Sequence, residues 1–253
     1  MLLAADNLHG LNPVVRDAMK RLDPRPIQDL ARRCEQAGAL FIDLNPGYLS
    51  PRHEDRMAFL VEAVQEAVSL RLILDSPHPR VLAAGLSACR EAPVLNALSL
   101  EEEKLDGILP LAVEHKTELV LLLMDDRSNT PPGLEEKLAI AIELRERCLA
   151  AGLSHEDLIF DPVLPNMSWP DAFLRATEDI RAIRLLASGA VFQEPCRTMV
   201  GLSNLRSGVK QLFPAALEQT CLALLAGAGL TLPMVDVFRP DLMAELHRIN
   251  QML

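Results

Sequence analysis

Short apolar segments alternate with amphipathic segments along nearly the whole chain. Eight apolar runs have the length of β-strands, and in most of them successive residues are hydrophobic without a polar alternation. Strands of this kind are buried on both faces, which is typical of a parallel sheet. The predicted strands are Leu2–Ala5, Leu40–Leu44, Leu70–Leu74, Val94–Leu98, Leu119–Met124, Leu158–Phe160, Thr198–Leu202 and Met234–Val237.

Between the strands, apolar residues recur at intervals of three and four, which predicts amphipathic helices. In the segment 133–151, Leu134, Leu138 and Ala141 follow this spacing, and the segment begins after a Pro-Pro-Gly turn and ends near Gly152. The predicted helices cover 25–37, 53–68, 78–89, 100–113, 133–151, 170–186, 214–227 and 240–251.

Eight strand–helix units in 253 residues predict an α/β fold, a single-domain TIM (β/α)8 barrel spanning residues 1–253. A doubly wound sheet is the competing arrangement. The sequence contains neither a G-x-G-x-x-G fingerprint nor a Walker lysine loop, and these are the phosphate-binding motifs expected of such sheets. No linker or low-complexity tract separates a second domain.

Composition and charge narrow the classes of function. The net charge of -10 disfavours a nucleic-acid or anionic-membrane partner, because those surfaces require basic patches. The five cysteines and six histidines are scattered, which predicts no zinc or iron–sulfur site. The first ten residues lack the features of a signal peptide, and the longest apolar run, Leu119–Met124, is too short to cross a bilayer. We therefore expect a cytoplasmic protein.

Polar residues follow the predicted strands at the end where barrel enzymes carry their chemistry. Any one of them could be a helix N-cap, since Asp, Asn and Ser favour that position. Together they converge on one cavity without a neutralising Lys or Arg, which indicates a ligand rich in hydrogen-bond donors or a Mg²⁺ ion. An amidine-like edge, such as that of a pterin, is one such ligand. The residues are Asp43, Asn45, Asp75, Asn96, Asp125, Asp161, Gly201, Ser203 and Asn204.

Several longer segments resemble a known family. In chain order they are DLNPG (43–47), LDSPHP (74–79), the segment 96–126 that contains ILPLAVEH, DLIFDPVLP (157–165) and VGLSNLRSG (200–208). In these stretches the chain resembles the methyltetrahydrofolate:corrinoid protein methyltransferases, which belong to the pterin-binding superfamily that includes dihydropteroate synthase. The GLSN segment is the most specific of these matches.

The resemblance implies a TIM-barrel homodimer that uses methyltetrahydrofolate, or a related tetrahydropterin, and a corrinoid carried by a partner protein, with no metal bound by this chain. Asp75, Asn96 and Asp161 would bind the pterin edge, and Asn204 would lie near N5, the atom that carries the methyl group. Asp75, Asp161 and Asn204 form the predicted catalytic set. The remaining predicted substrate-binding residues are Asn45 on the floor, Gly201 and Ser203 in the wall, and Asp43 and Asp125 at their strand ends.

Two segments depart from the family pattern. Family members commonly carry Gly-Glu-Arg-x-Asn at strand one, where this chain reads Asp6-Asn7-Leu8-His9 after Ala5. The loop after GLSN lacks the usual polar residues, and Arg206 and Lys210 are its basic residues. Both departures concern how the p-aminobenzoyl-glutamate tail of a folate is held.

The residues favour a mechanism in which Asn204 stabilises the protonated N5 by hydrogen bonding, while Asp75 and Asp161 favour its protonation through their negative charge. Three alternatives stay open. The chain could be a non-catalytic pterin-binding or corrinoid-docking subunit. It could be a dihydropteroate synthase-like condensing enzyme, although no lysine follows GLSN directly. It could also be a Mg²⁺-dependent lyase that uses the carboxylates.

Overall fold

The computed structural model describes residues 1–47 and 53–252. Eight parallel strands close into a barrel in chain order, with β1 paired to both β2 and β8, which confirms the predicted (β/α)8 barrel. The strands are β1 Ala4–His9, β2 Phe41–Asn45, β3 Arg71–Asp75, β4 Val94–Leu98, β5 Glu118–Leu122, β6 Leu158–Asp161, β7 Arg197–Gly201 and β8 Leu232–Val235.

Helices surround the barrel, and each strand is followed by at least one of them. They are α1 Pro13–Arg21, α2 Arg25–Gln36, α3 Asp55–Gln65, α4 Pro79–Ala88, α5 Glu102–His115, α6 Leu134–Ala151, α7 Ala172–Ala187, α8 Ala216–Ala228 and α9 Pro240–Met252. None of the helices in the described part of the chain is long and apolar enough to cross a membrane.

The strands alternate between two hydrophobic cores because successive side chains point to opposite faces. In β3, Leu72 and Leu74 belong to the large core between sheet and helices, whereas Ile73 belongs to a smaller core inside the barrel. The interior core consists of Ala4, Phe41, Ile73, Val94, Ala97, Val120, Ile159, Met199, Leu232 and Met234. The barrel interior is therefore packed, and the next inward positions along the strands lie at its mouth.

The beginning of the chain differs from the prediction in two respects. Strand β1 runs to His9 rather than ending at Ala5, so the Asp6–His9 segment belongs to the sheet. A helix that the apolar spacing did not predict, α1, follows it. Its start is fixed by Asn12, whose side chain accepts a hydrogen bond from the backbone N–H of Val14, and by Pro13 in the first turn. It ends where Leu22 takes a left-handed conformation.

Gly10 allows the ends of β1 and β2 to approach closely. Its backbone N–H donates to the Asn45 carbonyl at 2.7 Å, and a Cβ atom placed on Gly10 would lie only 2.6 Å from the carbonyl oxygen of Pro46. The contact joins two backbones, so a flexible side chain cannot relieve it. The Asp43–Gly47 segment is thus packed directly against the loop after β1.

We expect Gly10→Ala to lower the free energy of unfolding by about 1–3 kcal/mol, because the added methyl group overpacks this contact. Gly227→Ala is the matched control: it lies in α8 with nothing within 4 Å of the added Cβ. It should raise stability by roughly 0.5–1 kcal/mol through helix propensity. Urea unfolding of both variants tests the pair, and a Gly10→Ala protein as stable as wild type would contradict the assignment.

Candidate functional site

Most of the predicted site residues lie on the inner face of the barrel, above its apolar interior. The alternation of the strands accounts for this: in six of the eight strands, the side chain two positions after an interior-core residue is polar or absent. The steps are Ala4 to Asp6, Phe41 to Asp43 and then Asn45, Ile73 to Asp75, Val94 to Asn96, Ile159 to Asp161, and Met199 to Gly201. The sheet thus brings these residues together at one end.

Asp75 is held by its neighbour on β2. The Asn45 side-chain amide donates to Oδ2 of Asp75 at 2.7 Å, while the Asn45 carbonyl oxygen Oδ1 accepts the backbone N–H of Gly47 at 2.8 Å. Oδ1 of Asp75 accepts no hydrogen bond from the described residues. Burial raises the pKa of Asp75 to about 7, and the charge of Asp6 adds to the rise. One carboxylate oxygen therefore remains free for a ligand.

Asp43 is the most deeply buried carboxyl group of the site, with 1% of the residue exposed. Its Oδ1 atom has no hydrogen-bond partner among the described residues. Burial, followed by the charges of Asp75 and Asp6, raises its pKa well above the usual range, and the neighbouring Asn96 amide partly opposes this rise. Burial therefore favours the neutral form of Asp43 over its carboxylate.

Asp6 joins the site although the sequence-based set did not include it. Its Oδ2 accepts a hydrogen bond from the Ser203 hydroxyl at 2.6 Å, which connects β1 to the segment after β7. Burial raises the pKa of Asp6, and the Ser203 hydrogen bond opposes the rise. The prediction missed Asp6 because it ended the strand at Ala5. The available signal was the step of two from Ala4.

Asp161 ends β6 and is 5% exposed. Its Oδ1 accepts the backbone N–H of Val163 at 2.7 Å, and its Oδ2 accepts none from the described residues. Burial raises its pKa to about 7. The charge of Asp179 adds to this rise and that of Lys137 opposes it, and the charge of Asp75 makes a smaller contribution to the rise.

Asn96 is 6% exposed in β4, beside Asp75 in the sheet register. Its backbone carbonyl accepts the N–H of Ser76 at 2.9 Å, which ties the ends of β3 and β4 together. The side chain lies close enough to Asp43 to affect the pKa of that carboxyl group. A carboxamide between carboxyl groups supplies both a donor and an acceptor to a ligand.

Asn204 lies in a 3₁₀ helix, Leu202–Arg206, directly after β7. It is exposed, and its side-chain amide has no hydrogen-bond partner within residues 1–47 and 53–252. A Cβ atom built on Gly201 would lie 3.5 Å from Asn204 Nδ2 and 3.5 Å from Met234 Cε, so the amide lies over the inner face of the barrel. Gly201 is the cap of this helix and Ala215 that of α8, so Asn204 caps neither.

Asp125 differs from the other predicted residues. Its carboxylate accepts the backbone N–H groups of Arg127 and Asn129, at 2.9 and 2.7 Å. These local hydrogen bonds, that of Asn129 first, lower its pKa. The structure therefore gives Asp125 a role in its own turn and does not connect it by a hydrogen bond to the other site residues.

Buried Arg206 stabilises the loop after β7 by an ion pair and by hydrogen bonds to backbone carbonyls. Its guanidinium group pairs with Glu218 at 3.0 Å and donates to the backbone carbonyls of Phe213 and Lys210. Arg206 is therefore fully engaged inside the protein. Lys210 is exposed, so of the two basic residues in this loop it is the one that presents its side chain to solvent.

The raised pKa values predict how stability varies with pH. Asp75 and Asp161 titrate near 7 in the folded protein and near 4 in the unfolded chain, so between about pH 4 and 7 the folded state binds more protons. Their stabilising contribution is complete below about pH 4 and is lost as pH rises through about 7, at up to about 1.4 kcal/mol per pH unit for each group. Urea unfolding at pH 5, 6, 7 and 8 measures this.

The variant with Asp75→Asn and Asp161→Asn should show a shallower decline over the same range, since two titrating groups are removed. Asp6, Asp43 and Asp179 retain raised pKa values in that variant and contribute to the remaining slope. A wild-type stability that rises between pH 5 and 7, or equal slopes in the two proteins, would contradict the assignment.

A curated relative matches this chain from end to end. It is a methylcorrinoid:tetrahydrofolate methyltransferase of Eubacterium limosum, 26% identical over 257 residues, which cover 100% of this chain and 91% of the relative.

Solved structures with the same architecture are dihydropteroate synthases. The Yersinia pestis enzyme in a sulfonamide drug complex aligns with a TM-score of 0.70 at 17% identity, covering 99% of this chain and 93% of that one. The Vibrio fischeri enzyme aligns with a TM-score of 0.70 at 14% identity, covering 99% and 92%. At these identities the likeness establishes the fold alone.

The family assignment rests on the sequence as well as on the fold. The model of the family described as pterin binding enzyme matches residues 12–236, which include every predicted site residue. The expected resemblance is confirmed: this chain belongs to the pterin-binding enzyme family.

Proposed function

We propose that this protein transfers a methyl group between N5 of methyltetrahydrofolate, or a related tetrahydropterin, and the cobalt of a corrinoid carried by a partner protein. The observation that carries the proposal is the combination of two features. Buried carboxyl and carboxamide groups line the barrel mouth, and Asn204 holds an unpaired amide at its rim. The full-length similarity to a methylcorrinoid:tetrahydrofolate methyltransferase supports the same reaction.

The lining fits the amidine-like edge of a pterin. Asp75 and Asp161 each use one carboxylate oxygen within the protein and leave the other without a partner among the described residues. Asp43 leaves the buried Oδ1 unpaired. N–H groups of a pterin would satisfy these acceptors, and such charge-assisted hydrogen bonds are strong in a site shielded from water. Asn96 would hydrogen-bond the adjacent ring atoms.

Methyl transfer from N5 breaks the carbon–nitrogen bond, and N5 must gain a proton because the free amide-like anion is a poor leaving group. The Asn204 amide would hydrogen-bond N5 and the water that delivers the proton, since it is exposed and unpaired. The negative charges of Asp75 and Asp161 favour protonation of the bound pterin. Ser203, held by Asp6, fixes the segment that carries Asn204. In the reverse direction N5 loses this proton and accepts the methyl group.

The partner in this proposal is a corrinoid protein. A cobalt(I) corrinoid supplies a strong nucleophile for the methyl group, and the mouth of the barrel, where Asn204 is exposed, is the face to which such a partner must bring it. The homodimer and the cytoplasmic location implied above stay predictions.

Asp75→Asn and Asp161→Asn should each weaken the binding of methyltetrahydrofolate at pH 7 by roughly 2–5 kcal/mol, because each removes a charged acceptor from a buried pair. Isothermal titration calorimetry measures the affinity. Asp157→Asn is the control: Asp157 lies just before β6, at the end opposite to Asp161, and its carboxylate accepts hydrogen bonds from Ser154. Unchanged affinity in both site variants would remove the pterin assignment.

Asn204→Ala should lower the rate of methyl transfer to free cob(I)alamin by at least about tenfold, which is about 1.4 kcal/mol. If the hydrogen bond forms only in the transition state, kcat falls without a matching rise in KM. Asn204→Asp should also lose activity, because a carboxylate cannot donate a hydrogen bond at pH 7. Stopped-flow kinetics together with the melting temperature separate catalysis from stability.

Three measurements on the wild-type protein separate the alternative functions. Methyltetrahydrofolate binding without transfer in the wild-type protein would indicate a non-catalytic pterin-binding subunit. Condensation of a dihydropterin pyrophosphate with p-aminobenzoate would indicate a dihydropteroate synthase-like enzyme. Loss of activity in EDTA with recovery in Mg²⁺ would indicate the metal-dependent lyase.

A further inference from the structure

A buried ion pair lies outside the barrel, directly behind the end of β6. Lys137 of α6 and Asp179 of α7 have completely buried side chains, and Lys137 Nζ is 2.7 Å from Asp179 Oδ1. The same Nζ atom donates a hydrogen bond to the backbone carbonyl of Pro162 at 2.8 Å. The pair therefore contacts the residue that follows Asp161.

A buried ion pair such as Lys137–Asp179 is not expected to add to the free energy of unfolding. The cost of removing two charges from water often exceeds their attraction, and well-packed apolar residues frequently replace such pairs without loss. Both carboxylate oxygens of Asp179 also lack a well-formed hydrogen bond within the described residues. A requirement other than stability must account for a lysine at this position.

The conformation of the turn after β6 gives a reason for the lysine at position 137. Val163 adopts a φ of 64°, the left-handed region, which is rare for a β-branched residue and costs free energy. The peptide unit between Pro162 and Val163 is held from both sides. Its carbonyl accepts from Lys137, and its N–H donates to Oδ1 of Asp161 at 2.7 Å. A rotation of this peptide would break both hydrogen bonds and turn the carbonyl toward the Asp161 carboxylate.

We propose that Lys137, neutralised by Asp179, is a positioning residue for the pterin site. It fixes the Pro162–Val163 peptide in its strained orientation, and this peptide in turn fixes the Asp161 carboxylate toward the ligand. The inference rests on the proposed function, since it takes Asp161 as the group that binds the pterin edge. Lys137 itself does not touch the ligand.

The test replaces the pair by apolar residues, Lys137→Met with Asp179→Leu, so that no unpaired charge is left in the interior. Methyltetrahydrofolate affinity is measured by calorimetry and the melting temperature by circular dichroism. We expect a melting temperature equal to or above that of the wild type and an affinity at least tenfold weaker. If this variant does not fold, Lys137→Gln with Asp179→Asn takes its place. It keeps polar groups in the gap but shortens the reach to the Pro162 carbonyl, and the same loss is expected.

A second-site change tests the strained peptide directly. Glycine adopts a φ of 64° without the steric cost that valine has, so Val163→Gly removes the strain that drives the peptide to rotate. Added to the Lys137→Met, Asp179→Leu protein, Val163→Gly should recover at least threefold in affinity. No recovery would overturn the proposed route from Lys137 through the peptide to Asp161.

Controls distinguish failure of this inference from failure of the proposed function. Glu118→Gln, which removes ion pairs with Arg71 and Arg197 at the opposite end of the barrel, should leave the affinity unchanged. If the wild-type protein does not bind methyltetrahydrofolate, the proposed function itself fails. If the wild type binds, Asp161→Asn binds weakly and the Lys137→Met, Asp179→Leu protein binds like the wild type, the positioning role of Lys137 is wrong and the proposed function stands.

Discussion

Carboxyl groups with little access to water are the constraint on which the rest of this structure depends. The closed barrel directs Asp43, Asp75 and Asp161 inward above an apolar interior, where burial opposes their ionisation. Their surroundings compensate only in part. Asn45 donates to Asp75 and the Val163 N–H donates to Asp161, whereas Asp43 Oδ1 has no donor among the described residues. The unsatisfied acceptors form a surface that is complementary to a planar ligand with several N–H groups.

The sequence predicted the barrel from its eight strand–helix units, and most of the mouth from the polar residues at the ends of the strands. The structure explains why this worked: Asp43 and Asp75 lie two positions after Phe41 and Ile73 of the interior core, so they share the inner face. The 2.7 Å hydrogen bond from Asn45 to Asp75 depends on the register between β2 and β3, which the sequence of either strand alone does not indicate. Helix α1 was missed because its start depends on the Asn12 cap and Pro13, whereas the prediction relied on apolar spacing.

Residues in loops were harder to predict because their hydrogen-bond partners depend on the conformation of the loop, which residue type and apolar spacing do not indicate. Asp125 resembled the other strand-end aspartates in sequence, yet its carboxylate binds the backbone of residues 127 and 129. Arg206 was predicted as a basic residue of the loop after β7, yet its ion pair with Glu218, twelve residues later, holds its side chain inside the protein. In both cases the charge of the side chain is clear from the sequence, but the group that binds this side chain depends on the conformation of the loop.

The site has a floor of side chains in the strands, which includes Asp43, Asp75 and Asp161, and a more exposed rim that carries Asn204. Solvent access differs between the two, and so do their proposed roles. The floor groups lie in strands, where backbone hydrogen bonds fix them and burial strengthens each contact with a ligand. Asn204 lies in a short 3₁₀ helix outside the sheet, joined to neighbouring segments by Ser203 to Asp6 and by Asn166 to the Asn204 carbonyl. A group that hydrogen-bonds the water delivering the proton and that faces a partner protein has to be exposed. The same exposure would weaken a group whose task is to bind the pterin edge. In the proposed reaction, the strands therefore bind the pterin and the loop after β7 takes part in its chemistry.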